Sequence, residues 1–182
     1  RTDGQVISNG IFLDVVRVCR SKDGQTECGD TNCGFDCGKN KYALCIVDGM
    51  GTGKPAAEQS KRISATVRTM ISRGVPKTDI MDMVNTALYN GKEDSVLSFD
   101  MSIVDLDSAQ CEMLKADASP TFICRGGNVY CVGRRSLPLG ADETPDSFSS
   151  TCTLFDGDIL VMVSDGFFGD SEDFCMNILR KC

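Results

Sequence analysis

The strongest constraint on the fold of this chain is a change of hydrophobic period along it. Between residues 55 and 89 apolar side chains recur at helical spacing: Ile63, Val67, Met70 and Ile71, then Ile80, Val84, Ala87 and Leu88. From Ser98 the period falls to two, with Phe99, Met101 and Ile103 alternating with Asp100 and Ser102. Strand-like runs continue at 111–115, 120–124, 128–132, 151–155 and 159–164, and two more precede the helices, one around Val15, Val16 and Val18 and one at 42–47. Strands, two helices and then many strands in succession predict an antiparallel α+β fold, a β-sandwich flanked by helices, and not alternating βαβ units.

Local signals set the boundaries. Pro55 suits a first helical position, Thr78 and Asp79 can cap the second helix, and Asn90-Gly91 ends it. Gly126-Gly127 predicts a hairpin turn and Asp156-Gly157-Asp158 another turn, while 171–180 predicts a final helix. At 182 residues the chain is long enough for one domain with a real core and short for two, so residues 1–182 are expected to form a single domain.

The net charge of −7 argues against nucleic acid or anionic lipid as a partner, because both repel an acidic surface, but leaves cations open. No apolar run is long enough to span a bilayer, and no signal peptide is read near Arg1. A cytoplasmic domain of a longer, membrane-tethered protein is the expectation. Of the 11 cysteines, Cys45, Cys124 and Cys131 lie inside apolar runs, where a free thiol behaves as a small hydrophobe. A reduced interior is expected, with neither disulfides nor cysteine-bound metal. The cluster Cys28, Cys33, Cys37 and Cys45 could in principle hold zinc or an iron–sulfur centre, but it lacks tight CxxC pairs and the chain has no histidine.

Three Asp-containing turns carry candidate chemistry: Cys28-Gly29-Asp30, Asp48-Gly49-Met50-Gly51-Thr52-Gly53 and Ser164-Asp165-Gly166. An Asp closing a buried strand holds its carboxylate at the rim of a sheet, and the following Gly allows a sharp turn and an exposed carbonyl. Several such carboxylates brought together need a cation among them, and all-oxygen donors suit magnesium, manganese or calcium. Singly, each Asp-Gly pair is as well explained by a turn, and Asp3-Gly4, Asp23-Gly24 and Asp156-Gly157 are read as turns alone. GMGTGK is not a phosphate loop: Asp48 stands where its first Gly belongs and Pro55 where its Ser or Thr belongs.

The blocks CGDT (28–31), ALCIVDGMGTGKPAAEQS (43–60), SFDMSIVDL (98–106), MLKADASPTFICRGG (113–127), SLPLG (136–140) and GDILVMVSDGFFG (157–169) occur in order. Together they resemble the PPM family of metal-dependent serine/threonine protein phosphatases, in particular its sporulation stage II branch. The resemblance implies two packed antiparallel sheets flanked by helices and a centre of two Mn²⁺ or Mg²⁺ ions. By motif match, Asp48 would bridge both ions, the Gly49 carbonyl would bind one, Asp165 would ligate the second, and Asp30 would sit beside the first. Asp48 and Asp165 are thereby the candidate catalytic residues. The implied activity is hydrolysis of a phosphoserine protein, plausibly a phosphorylated anti-anti-sigma factor controlling a sporulation sigma factor. The helix pair between Ala56 and Tyr89 would be a regulatory or homodimer surface, or simply cover the sheet.

Two departures from the family pattern stand out. Cys28 occupies a position usually held by Ser, and the sequence stops at Cys182 before the family's late paired-aspartate motif. Asp170, Glu172 and Asp173 follow Asp165 too closely to be that motif and read as an acidic first helical turn. The second site is therefore expected to be weakened, with poor turnover by the 182 residues alone and activity in a form extended past Cys182. The alternatives are a PPM-like binding or oligomerisation module without catalysis and a structural calcium-binding domain.

Overall fold

The structure, a computed structural model, describes residues 2–8, 11–19, 28–49, 54–91, 96–167 and 172–181. Ten strands and three α-helices are described: β1 Thr2–Ser8, β2 Ile11–Val16, β3 Asp30–Gly38, β4 Lys41–Gly49, α1 Lys54–Ser72, α2 Lys77–Tyr89, β5 Leu97–Asp105, β6 Gln110–Ala116, β7 Thr121–Arg125, β8 Asn128–Val132, β9 Phe148–Thr153, β10 Ile159–Val161 and α3 Glu172–Leu179. A 3₁₀ turn at Asp165–Phe167 precedes α3. Every described pairing is antiparallel, giving a five-stranded sheet β3-β4-β5-β6-β9, a three-stranded sheet β10-β7-β8 and the ribbon β1-β2.

Side-chain alternation sorts the layers. Ala43, Cys45 and Val47 of β4 and Phe99, Met101 and Ile103 of β5 point to one face of the large sheet, where they pack with Ile63, Val67 and Ile71 of α1 and Ile80, Val84 and Leu88 of α2. The opposite face contributes Val104, Cys111 and Met113, which pack with Ile123 of the small sheet. Beyond the small sheet, Phe122 and Cys124 pack with Leu179 of α3. Helices, sheet, sheet and helix are thus stacked in that order, as the antiparallel sandwich reading requires.

The helical spacing was legible because α1 buries residues at every turn: Ala57, Ser60, Ser64, Val67 and Ile71. Several details differ from expectation. Helix α2 starts at Lys77 and has no side-chain cap, since Pro76 holds the capping position; the Thr78 hydroxyl, inside the helix, donates to Asp79 Oδ1 at 3.2 Å. Its buried face holds Met81 and Asn85, whereas Ala87 is exposed. Asn85 is retained inside because its amide donates to the carbonyls of Asp142 and Glu143 and accepts the Gly140 N–H at 2.8 Å. Strand β2 ends at Val16, leaving Val18 outside it, and β9 begins at Phe148, three residues before the expected start. Asp3-Gly4 lies within β1, where the register shifts between Thr2 and Gln5, so it is a bulge site and not a turn. Asp23-Gly24 falls outside the described residues. Gly126 and Gly127 have φ of 54° and 77°, the pair of positive values that a two-residue hairpin turn demands.

The cysteines with described side chains are all free thiols. Two pairs nevertheless stand directly across strands, Cys33 opposite Cys45 and Cys111 opposite Cys152. A hydrogen bond from the Cys45 thiol is the main cause that lowers Cys33 to a pKa of about 6, helped by the Ser64 hydroxyl and by Arg17 and Arg68. Burial drives Cys111 up to about 12. Cys33 is therefore expected to react fastest with iodoacetamide at pH 7 among these four, with a rate that falls through half its plateau near pH 6. Peptide mass spectrometry across pH 5–9 reads this directly; Cys33 labelling that begins only above pH 8 contradicts it.

Candidate metal centre

Two of the three acidic turns, those of Asp48 and Asp165, line one cleft, and Asp30 stands beside Asp48 in the sheet without lining it. In the β3–β4 ladder Asp30 stands directly opposite Asp48, so both carboxylates leave the same face of the sheet, the face turned to the small sheet. Asp48 is in turn opposite Ser98 at the start of β5. Asp165 comes from the other sheet: it follows β10 after buried Val163 and opens the 3₁₀ turn. Asp48 and Asp165 line one cleft, together with Ile46, Ser98, Asp100, Asp117 and neighbouring residues. Its enclosed volume is about 20 Å³, enough for a water or an ion and too small for an organic ligand.

Gly49 is demanded by packing and not by a left-handed turn. A Cβ there would lie 2.9 Å from both the Ala56 carbonyl oxygen and the Ser60 hydroxyl. The close approach serves a hydrogen-bond junction. The Gly49 N–H donates to Ser60 Oγ at 3.1 Å, and that hydroxyl lies 2.7 Å from the Gly29 carbonyl oxygen and 2.8 Å from that of Ala56. Fully buried Ser60 on α1 thereby ties together the residues that flank Asp30 and Asp48. Ser60→Ala orphans the Gly49 N–H and is expected to cost about 1–3 kcal/mol. A chemical-denaturation midpoint unchanged by the substitution would show that water replaces the hydroxyl.

Two further acidic residues of the cleft, Asp100 and Asp117, were not singled out from the sequence. Asp100 sits in the middle of β5 and is 2% exposed, because the small sheet covers the face to which it points. Its Oδ2 lies 2.5 Å from Lys115 Nζ, across the β5–β6 ladder, and accepts the Thr121 hydroxyl at 3.3 Å. Lys115 is 1% exposed and donates to Thr121 Oγ1 at 2.7 Å. Burial raises the Asp100 carboxyl and lowers the Lys115 ammonium, outweighing the mutual attraction that acts the other way. Asp117 accepts the Ser98 hydroxyl at 3.2 Å, opposite the start of β4's acidic end. A lone Lys in the apolar run EMLKA and a lone Asp in SFDMS were the available signals: single charges of opposite sign in neighbouring strands.

Four carboxylates, those of Asp48, Asp100, Asp117 and Asp165, thus line the cleft, and Lys115 brings an ammonium against Asp100. Asp100 Oδ1 is buried with no hydrogen-bond partner. Oxygen-only donors, surplus negative charge, an orphaned carboxylate oxygen and an ion-sized space fit a hard divalent cation. Among the described residues, no three His, Cys, Asp or Glu side chains stand close enough together to grip an ion directly. Asp170 lies outside the described residues.

Solved structures with this architecture are PP2C-type phosphatases. The phosphatase domain and regulatory fragment of SpoIIE from Bacillus subtilis superposes with a TM-score of 0.77 at 31% identity, covering 88% of this chain and 48% of that one. A second crystal form of that phosphatase domain gives 0.62 at 30% identity, covering 88% and 71%. RsbX in complex with magnesium shares the fold, with a TM-score of 0.67 at 18% identity over 89% of this chain and 83% of the other. The class defined by the fold is the PP2C-type, or PPM, serine/threonine phosphatases, which are hydrolases.

Within that class, residues 38–178 match the family described as Stage II sporulation protein E (SpoIIE), and the chain belongs to that family. The Bacillus subtilis (strain 168) stage II sporulation protein E is 34% identical over 149 residues, 81% of this chain and 18% of that protein; the Priestia megaterium protein is 30% identical over 81% of this chain and 26% of its own length. The chain thus spans about a fifth to a quarter of these relatives. No helix among the described residues is long and apolar enough to cross a membrane.

Proposed function

We propose that this chain is the catalytic part of a metal-dependent protein phosphatase acting on a phosphoserine or phosphothreonine protein. The observation that carries the reading is the convergence of Asp48 and Asp165, from two different sheets, on one ion-sized acidic cleft. Asp48 would hold two Mn²⁺ or Mg²⁺ ions together with the Gly49 carbonyl, Asp165 would bind the second, and Asp30, opposite Asp48, would serve the first. Bound there, the ions supply an activated water and offset charge on the phosphoryl group. The protein's own part is to fix these donors. The β3–β4 ladder sets Asp30 and Asp48, the 3₁₀ turn after β10 sets Asp165, and the Ser60 junction holds Gly29 and Gly49 against α1. With no histidine in the chain, no imidazole is available to protonate the leaving oxygen.

By family likeness the substrate is a phosphorylated anti-anti-sigma factor and the setting cytoplasmic partner switching in sporulation, with the chain as one domain of a larger membrane-tethered protein. A phosphorylated protein of that kind is expected to lose phosphate to a form extended past Cys182 with Mn²⁺, and only slowly to the 182 residues alone, and to keep it when EDTA is present or Asp48 is replaced by Asn. Metal-independent release of phosphate contradicts the reading.

A further inference from the structure

We propose that Asp100 is a positioning residue of this centre: its second carboxylate oxygen holds the ion in place through an intervening water, and Lys115 and Thr121 fix it for that task. The inference rests on the metal reading above and extends it to a residue outside the motif-matched set.

The two oxygens of Asp100 are used unequally. Oδ2 takes both partners, the Lys115 ammonium at 2.5 Å and the Thr121 hydroxyl at 3.3 Å. Oδ1 takes none, though it is buried, and the residue lines the cleft. A pair built only for cohesion would satisfy both oxygens, because a buried acceptor left without a donor is costly. The space next to it is large enough for a water.

The ladder sets the distance. Asp48 is opposite Ser98, and Asp100 is two residues further along the same strand on the same face. Such diagonal neighbours have Cα atoms about 7–8 Å apart. Both carboxylates therefore face one cleft, yet among the described residues no three acidic side chains stand close enough together to grip an ion directly. This arrangement suits a carboxylate that reaches the ion across one water. Lys115 and Thr121 lock the carboxylate's rotation, so its free oxygen stays available to the cleft, as outer-shell partners do at metal sites.

The test follows Mn²⁺ binding by loss of the free-ion EPR signal, alongside metal-free melting. Asp100→Asn alone leaves Lys115 buried without a counter-ion, so the decisive variant is Asp100→Asn with Lys115→Met, which removes both charges together. The double variant is expected to melt within a few degrees of the parent without metal, yet to bind Mn²⁺ about 10–100-fold more weakly. A merely structural pair would leave affinity unchanged once the fold is intact, and a folded double variant with parental Mn²⁺ affinity overturns the proposal. Asp165→Asn separates the two levels of the argument. If the parent binds Mn²⁺ and this variant does not, the centre is where it is placed and Asp100 alone is on trial. If the parent binds no Mn²⁺, or Asp165→Asn binds it equally well, the metal reading fails and the role of Asp100 with it.

Discussion

Replacing Lys115 by Met is expected to cost the fold about 3–5 kcal/mol, a large part of the 5–15 kcal/mol that holds a typical domain together. Methionine nearly matches the volume of the lysine stem, so little packing is lost. What changes is that the Asp100 carboxylate, 2% exposed, loses its cation and one of its two hydrogen bonds. The Asp100 carboxyl is already raised by burial, and removal of the lysine raises it further. The sign of the pH dependence follows. A carboxyl whose folded-state pKa lies above its unfolded value costs nothing while both states are protonated, at low pH. Stability is then lost as pH rises through the folded-state value. The Lys115→Met deficit should therefore be small near pH 4 and grow toward pH 8. Urea unfolding at both pH values measures it, and adding Asp100→Asn should recover most of the loss. A deficit independent of pH would mean that packing, not the buried charge, is responsible.

The second large effect is on catalysis. Asp48→Asn keeps the size of the side chain and the β4 pairing with Asp30 and Ser98 but removes one negative charge from the point where the two sheets present their donors. Outer-shell substitutions at metal sites typically cost about 10–100-fold, and loss of the carboxylate proposed above to bind the ions should exceed that, giving a fall of more than about 100-fold in kcat/KM at saturating Mn²⁺. The melting curve of the metal-free protein should barely move, or rise, because the cleft becomes less acidic. Activity within tenfold of the parent would remove Asp48 from the centre.

Much of the architecture could be read from periodicity alone. The helices at Lys54–Ser72 and Lys77–Tyr89 and the buried strand ending at Asp48-Gly49 follow from where apolar residues fall. The pairing of Asp48 with Asp165 could not be read that way, since it depends on how two sheets face one another across more than a hundred residues. Family resemblance, not spacing, links those two positions. The burial of Asp100 could not be read for a related reason. A period of two marks the two faces of a strand, but it does not say that the second face is covered by another sheet. Gly49 was read for its turn, whereas its hydrogen atom is required by the approach of Ala56 and Ser60, which only tertiary packing creates. The N-terminal end of α2 was misjudged because the helix starts before Thr78, at Lys77, which leaves Pro76, a residue with no side-chain acceptor, at the capping position.

The Lys115–Asp100 contact also constrains how this sequence can change over generations. A lineage that loses either charge first passes through a chain whose folded-to-unfolded ratio is lower by roughly two to three and a half orders of magnitude. Neutral drift through either single step is closed unless the protein carries stability to spare. The two positions should accordingly behave as one heritable character, present or absent together among descendants. Where an ancestor once exchanged both, the descendants should show an uncharged pair at the same cross-strand positions and not a mixture of halves.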